Sequence, residues 1–181
     1  MTTLGVYLVG FMGAGKSSVG PILARLLDRP FFDLDQVIQS QVGKTIPEIF
    51  GQEGETAFRK YEQSALAATP SHGVVALGGG AFVQEGIRQL VADRGVSIYL
   101  HWPFSVLWAR IEACDQRPLA ADRDAAERLW RARLPHYRSS DLVWQSQPPH
   151  EESTEETARS LWRLLTENDR LGTSFSQGGS C

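Results

Sequence analysis

The chain of 181 residues has little of what marks secreted, membrane-spanning or nucleic-acid-binding proteins. Its two cysteines, Cys114 and Cys181, are too few for a disulfide framework and lack the spacing of a zinc site. No run of Lys or Arg forms a basic stripe, and the net charge is −3, so nucleic acid is not an expected partner. The first apolar run ends at Gly10, well short of a membrane span. We expect a cytoplasmic protein with no membrane partner and, by default, a monomer.

The composition is that of an ordinary globular domain, with 42% hydrophobic and 22% charged residues. A chain of this length buries roughly 70% of the surface of its unfolded form, so disulfides or metals are not needed for a core. We therefore predict a single domain over residues 1–168. The Gly- and Ser-rich residues 169–181 are predicted to be a disordered tail.

Short apolar runs alternate with segments of helical periodicity, which indicates a parallel sheet with helices on both faces. Helices are predicted over residues 16–27 and 54–68. A last helix is predicted after Ser153, which can form a capping box with Glu156. The predicted fold is a three-layer α/β/α domain with a five-stranded parallel sheet. Its predicted strands are residues 4–9, 31–34, 74–77, 96–100 and 141–144.

A phosphate-binding loop is predicted at residues 10–17, where Gly-Phe-Met-Gly-Ala-Gly-Lys-Ser matches G-x-x-x-x-G-K-[ST] between a strand and a helix. Glycines allow backbone N–H groups to surround a phosphate, and the helix N-terminus adds the positive end of its dipole. We expect Lys16 to reach the β- and γ-phosphates of ATP, and the Ser17 hydroxyl to ligate Mg²⁺. The expected ATP-binding residues of this loop are Gly13, Ala14, Gly15, Lys16, Ser17 and Ser18.

The loop motif alone leaves open a kinase, an ATPase or a GTPase switch, although the N-K-x-D of a GTPase is absent. Asp33 and Asp35 end the second predicted strand at the sheet edge where such folds bind ligands. One carboxylate there can hold Mg²⁺ through water and the other can accept a hydrogen bond from a substrate hydroxyl. The alternative is that the pair only caps the helix that follows.

A second group of charged side chains, Glu55, Arg59 and Glu62, has the spacing of one helix face. They can form a solvated ion-pair network, or Glu62 can hold Arg59 in position to bind a carboxylate. Three glycines, residues 78–80, directly follow the third predicted strand. They suggest that a ligand approaches the backbone closely, although a plain flexible turn is the alternative.

Together these elements resemble the shikimate kinase family. The shared pattern begins with the phosphate loop and the Asp-x-Asp strand end, continues with I-x-E-I-F at 46–50 and G-E-x-x-F-R at 54–59, and includes the glycine triplet. It ends with R-P-L at 117–119 and R-x-x-x-Y at 133–137. The resemblance extends from about residue 4 to residue 143, whereas gluconate and adenylate kinases share only the first element.

The resemblance implies a phosphate-loop kinase fold like that of nucleoside monophosphate kinases, with a mobile lid at about 114–124. It implies transfer of the ATP γ-phosphate to the 3-hydroxyl of shikimate in aromatic amino-acid biosynthesis, with Mg²⁺ as cofactor. Lys16, Asp35 and Arg117 would be catalytic, and Asp33 would join Ser17 on the magnesium side. Arg110 would stack against adenine, and Arg117 would close over the phosphates from the lid. The implied substrate-binding residues are Asp35, Arg59, Gly79, Gly80, Arg133, Phe50, Phe58 and Glu62.

Two segments depart from the family pattern. Ala120 and Ala121 stand where the family often has a bulky apolar residue, and residues 145–149 carry no basic side chain near the expected adenine site. Two other functions stay open at this point. The kinase could act on another small anionic polyol, or the chain could be a nucleotide-binding paralogue without catalysis.

Overall fold

The computed structural model describes residues 4–113 and 122–168. The predicted positions of Arg117, of most of the lid and of the tail at 169–181 lie outside these ranges. The described residues form one five-stranded sheet, in the order β2-β3-β1-β4-β5, in which every neighbouring pair is parallel. The strands are β1 (Gly5–Val9), β2 (Phe31–Asp33), β3 (Val74–Ala76), β4 (Gly95–His101) and β5 (Leu142–Gln145).

Helices cover this sheet and complete the three layers. They are α1 (Lys16–Leu26), α2 (Leu34–Val42), α3 (Ile46–Ala68), α4 (Glu85–Arg94), α5 (Phe104–Glu112), α6 (Arg123–Arg138) and α7 (Thr154–Glu167), with a short 3₁₀ helix at Ala81–Val83. The predicted fold class is therefore confirmed. Within the described ranges, none of these helices has the length and apolar character to cross a membrane.

The central strand β1 is buried along its whole length and pairs with β3 on one side and β4 on the other. Because all strands run the same way, the segments that follow β1, β2 and β3 emerge at one edge of the sheet. These segments are the phosphate loop, the Asp33–Asp35 turn and the glycine triplet. The topology thus brings three distant parts of the sequence to one place.

The strand bounds differ from the predicted ones by one or two residues. Leu4 is exposed and lies outside β1, and β4 extends from Gly95 to His101. Strand β2 ends at Asp33 rather than at residue 34, because the Asp33 side chain caps helix α2 at that point. The capping box of Ser153 and Glu156 is confirmed at the start of α7.

The helix predicted over 54–68 is the second half of the longer helix α3. Its true start is capped by Thr45 and Glu48, which form a capping box that the sequence analysis missed. Gly54 interrupts the helix with φ 79° and ψ 174°, a left-handed conformation that favours glycine. The prediction began at this break because it relied on the periodicity that follows it.

Candidate active site

The phosphate loop is closed around its own lysine. Gly10, Gly13 and Gly15 have positive φ, and a Cβ on Gly13 would stand 3.1 Å from the Leu107 carbonyl oxygen. Lys16 is almost fully buried, and its Nζ donates to the carbonyl oxygens of Gly10 at 2.7 Å and Phe11 at 3.0 Å. The ammonium therefore lies within the loop that would surround a phosphate.

The first turn of α1 begins directly at this loop. Gly15 is the residue before the helix, and Ser17 and Ser18 in the first turn are exposed. The unpaired N–H groups and the dipole of a helix start favour an anion at this position. Ser17 and Ser18 thus lie where the sequence predicted them to meet a nucleotide.

Asp33 and Asp35 have different roles. Asp33 Oδ1 accepts hydrogen bonds from the backbone N–H groups of Asp35 at 3.1 Å and Gln36 at 3.3 Å, so the capping interpretation is correct for Asp33. Asp35 follows in the first turn of α2 and is half-buried. Its partial burial, with a further contribution from Asp33, raises the pKa of Asp35 against the opposing charges of Lys16 and Arg59. A carboxylate of raised pKa is a better proton acceptor than an ordinary one.

Glu62 is a buried carboxylate that holds Arg59. It is 1% exposed, and its Oε2 accepts from Arg59 Nη1 at 2.6 Å and from Gln84 Nε2 at 2.7 Å. Its other oxygen, Oε1, has no hydrogen-bond partner among the described residues. Burial raises the pKa of Glu62, although Arg59 acts in the opposite direction. This half of the charged group is therefore not a solvated network.

The other half of the group is solvated. Glu55 Oε1 accepts from Arg59 Nη2 at 2.7 Å, and the Glu55 side chain is 66% exposed. An exposed pair of this kind contributes little to stability and can be exchanged for another carboxylate. Glu62 thus fixes one side of the Arg59 guanidinium, whereas another carboxylate can replace Glu55 on the other side.

The glycine triplet fits between these charged groups because it has no side chains. A Cβ on Gly78 would stand 2.9 Å from both Asp35 Oδ1 and Glu62 Oε1, and one on Gly80 would stand 2.7 Å from Arg59 Nη2. A Cβ on Gly79 would lie 3.7 Å from Arg133 Nη1. The chain's own charged side chains thus approach the triplet closely, whereas the close approach of a ligand to it stays a prediction.

Arg133 reaches the triplet from helix α6. Its guanidinium Cζ lies 6.0 Å from the centroid of the Phe11 ring, next to the phosphate loop. One turn later on the same helix, the Tyr137 hydroxyl donates to the Gly79 carbonyl oxygen. Two arginines, Arg59 and Arg133, thus flank one short stretch of backbone.

Phe50 and Phe58 form an apolar contact beside Arg59. Their ring centroids are 4.6 Å apart, and Arg59 Cζ lies 5.5 Å from the centre of the Phe58 ring. Phe58 is buried, whereas Phe50 is 39% exposed. The exposed ring of Phe50, which packs on Phe58, is suited to contact the apolar face of a small ring-shaped ligand.

Arg110 lies against the phosphate loop, at the predicted nucleotide side. Its Nη1 donates to the Gly13 carbonyl oxygen at 3.3 Å, and its Cζ lies 3.9 Å from the centroid of the Trp102 ring. Trp102 Nε1 in turn donates to the Ala14 carbonyl oxygen at 3.2 Å. Trp102 was not among the residues predicted for this site. Its position at the end of β4, on the carboxyl edge of the sheet, is the signal that could have identified it.

Ser17 and Asp33 are suitable donors for Mg²⁺. A hydroxyl and a carboxylate oxygen are hard ligands, and Mg²⁺ takes few protein ligands because it keeps water and substrate phosphate oxygens. Asp33 uses one oxygen for capping, and its Oδ2 is not engaged in that contact. In the described ranges no group of three or more His, Cys, Asp or Glu could hold a metal by itself. The donor set thus fits an ion shared with a nucleotide.

Comparison with known proteins identifies the family. The model of the shikimate kinase family matches residues 12–163. The chain belongs to the shikimate kinase family. A shikimate kinase of Ruegeria pomeroyi is 42% identical over 142 residues, which cover 76% of this chain and 73% of the relative. One from Aquifex aeolicus is 35% identical over 159 residues, covering 86% of this chain and 95% of the relative.

The solved structures of the family share this fold. The shikimate kinase of Acinetobacter baumannii in complex with shikimate superposes with a TM-score of 0.84 at 35% identity, covering 92% of this chain and 95% of that chain. The family predicted from the sequence motifs is therefore confirmed, and with it the kinase fold.

Proposed function

We propose that this chain is a shikimate kinase, which transfers the γ-phosphate of ATP to the 3-hydroxyl of shikimate. The observation that carries the proposal is the placement of Asp35, Arg59 and Arg133 around the glycine triplet, beside a phosphate loop. Membership of the shikimate kinase family supports this reaction, and the related Acinetobacter enzyme is in complex with shikimate.

On the acceptor side, Arg59 and Arg133 bind the carboxylate, for which guanidinium forks are suited. Shikimate displaces the exposed Glu55 from Arg59, whereas the buried Glu62 continues to hold it. A backbone N–H of Gly79 or Gly80 donates to the acceptor. Asp35 binds the hydroxyls and accepts the proton of the attacking one. Phe50 and Phe58 cover the apolar face of the ring.

On the donor side, the backbone of residues 13–18 and the Lys16 ammonium hold the phosphates. Arg110 stacks on adenine, and Arg117, outside the described residues, supplies positive charge as the γ-phosphoryl leaves ADP. Ser17 and Asp33 would hold Mg²⁺, which neutralises charge on the phosphate oxygens when it is bound. The enzyme acts as a cytoplasmic monomer in this proposal.

A coupled assay of ADP formation, with purified protein, MgATP and shikimate, tests the proposal. The expected result is ADP formation that depends on shikimate and is lost in Lys16→Ala. ADP formation only with a different small anionic polyol would assign another acceptor. No acceptor-dependent ADP with any of them would indicate a non-catalytic nucleotide-binding protein.

A further inference from the structure

Tyr137 joins helix α6 to the glycine triplet across 58 residues of sequence, and its hydroxyl donates to the Gly79 carbonyl oxygen at 2.5 Å. The side chain is fully buried, and its ring packs 5.3 Å from that of Tyr99. Among the described residues the Gly79 oxygen is the acceptor of this hydroxyl, and Arg133, one turn earlier on α6, interacts with the same hydroxyl. The contact is therefore a fixed point for the triplet.

A hydrogen bond to the Gly79 carbonyl also orients the next N–H. The C=O of Gly79 and the N–H of Gly80 belong to one planar peptide unit and point to opposite sides of it. The Ala81 N–H donates to the Gly78 carbonyl oxygen at 3.0 Å and closes a turn around this peptide. Within that turn the peptide can still flip, because neither of its two glycines has a Cβ to restrict its dihedral angles. With the oxygen held by Tyr137, the Gly80 N–H must point away from that tyrosine.

Both glycines of this peptide border the candidate acceptor site. Gly80 lies against Arg59, since a Cβ there would stand 2.7 and 2.8 Å from its two terminal nitrogens, and Gly79 lies near Arg133. Neither Gly79 nor Gly80 donates a backbone hydrogen bond to any described residue. The Gly80 N–H is thus a donor without an acceptor in the described part of the chain, next to two cations that attract an anion.

We propose that Tyr137 is a positioning residue for acceptor binding, which holds the Gly79 carbonyl so that the Gly80 N–H is aimed at an oxygen of the bound acceptor. This inference rests on the proposed function, because it assumes an acceptor between Arg59 and Arg133. Tyr137 itself does not touch the acceptor. It removes the alternative orientation of the peptide before binding, so that the acceptor does not have to select one.

Neighbouring contacts also link helix α6 to the segment that follows the triplet. Arg88 Nη1 donates to the carbonyl oxygens of Phe82 at 3.0 Å and Val83 at 2.6 Å, directly after the triplet. The same nitrogen lies 3.2 Å from His136 Nδ1, next to Tyr137 on α6. Burial also raises the pKa of Tyr137 to about 12, so its hydroxyl remains a donor at any pH used for assay.

Tyr137→Phe tests the proposal, because it removes only the hydroxyl and keeps the ring. We expect the KM for shikimate to rise about 3- to 10-fold, the range for one neutral hydrogen bond, with the KM for MgATP changed less than twofold. Tyr99→Phe is the matched control. Its ring is the neighbour of Tyr137, but its hydroxyl interacts with Trp130 and not with the triplet. This control is expected to leave both KM values unchanged.

A second measurement separates positioning from a loss of stability. In protein labelled with ¹⁵N-glycine, shikimate should shift the amide signal of Gly80 in the wild type and in Tyr99→Phe, and shift it much less in Tyr137→Phe. Equal KM values for shikimate and equal Gly80 shifts in all three proteins would overturn the proposal. So would parallel rises in both KM values together with a lower thermal midpoint. If the wild type forms no shikimate-dependent ADP, the proposed function fails instead.

Discussion

The guanidinium of Arg110 lies over the indole of Trp102, with Cζ 3.9 Å from the ring centroid. The indole is itself fixed, because it is buried and its Nε1 donates to the Ala14 carbonyl oxygen of the phosphate loop. A planar cation held on one face by an aromatic ring is restricted in its rotation and keeps its other face for a second ring. Trp102 thus places Arg110 beside the loop in the absence of a nucleotide.

We predict that Trp102→Phe raises the KM for ATP about 3- to 10-fold, because phenylalanine gives a weaker cation–π contact and has no N–H for Ala14. The KM for shikimate should stay within twofold. Trp144→Phe is the matched control, since its ring lies 5.2 Å from that of Trp102 and its Nε1 donates to Ser160 instead. Equal KM values for ATP in the two variants would exclude Trp102 from nucleotide binding.

Arg59 should be important for acceptor binding and also for stability, because its removal leaves the buried Glu62 carboxylate without its cation. We predict that Arg59→Ala lowers kcat/KM for shikimate roughly 10- to 150-fold, since a charge-assisted contact contributes about 1.5 to 3 kcal/mol. Arg131→Ala is the control, because Arg131 also pairs with a glutamate four residues away but is 69% exposed. A change below twofold in Arg59→Ala, measured in the same assay, would remove Arg59 from the acceptor site.

Much of the site was predictable because its parts are local signals placed by a simple topology. The phosphate loop is a contiguous motif, and the Asp33–Asp35 turn and the triplet each follow an apolar strand. In a parallel sheet the carboxyl ends of all strands lie at one edge, so the predicted parallel sheet was enough to place these segments at the same edge. The spacing of Glu55, Arg59 and Glu62 likewise predicted one helix face, which the two ion pairs confirm.

Contacts between different elements could not be predicted in the same way. Nothing in the local sequence around Tyr137 indicates that its hydroxyl meets Gly79, because this depends on how α6 packs on the sheet edge. The sequence also did not show which of two aspartates caps α2 and which faces the site. Helix α6 itself was not predicted, because its many charged residues and Pro135 obscure an apolar stripe.

Asp35→Asn is predicted to separate activity from stability. Loss of the proton acceptor should lower kcat about 10²- to 10⁴-fold. Burial raises the pKa of Asp35 in the folded protein, so ionisation of this carboxyl favours the unfolded chain. The resulting loss of stability is absent below the pKa that Asp35 has in the unfolded chain, and it is complete above its pKa in the folded protein. At neutral pH the neutral asparagine should therefore raise the thermal midpoint. A lower midpoint in calorimetry would contradict this sign.

The same carboxyl determines the acid side of the pH profile. Because its pKa is raised, Asp35 takes up a proton at a higher pH than an ordinary aspartate does. We predict that kcat/KM for shikimate falls with decreasing pH before exposed aspartates titrate, whereas the far-ultraviolet circular dichroism spectrum is unchanged over that range. If the acid-side fall in kcat/KM has its midpoint at or below the pKa of an exposed aspartate, Asp35 is excluded as the base.

We predict that a larger residue at Gly78 lowers activity because of the side chains next to it and not because of its backbone dihedral angles. Gly78 is not among the described residues that have a positive φ, so alanine is compatible with its conformation. A Cβ there would nevertheless stand 2.9 Å from both Asp35 Oδ1 and Glu62 Oε1. Both carboxylates would have to move, and Glu62 would carry Arg59 with it. A misplacement of a catalytic group by about 1 Å costs on the order of 10²-fold in rate.

Gly51→Ala is the matched control for Gly78→Ala. Gly51 lies in helix α3, and a Cβ there would meet nothing within 4 Å. Alanine should stabilise that helix by about 0.5 to 1 kcal/mol and leave kcat/KM unchanged. In Gly78→Ala we expect kcat/KM to fall on the order of 10²-fold. Glu62→Gln should lower kcat/KM less in the Gly78→Ala background than in the wild type, since both changes disturb the same contact. Equal, additive effects of the two substitutions would show that Gly78 does not act through Glu62.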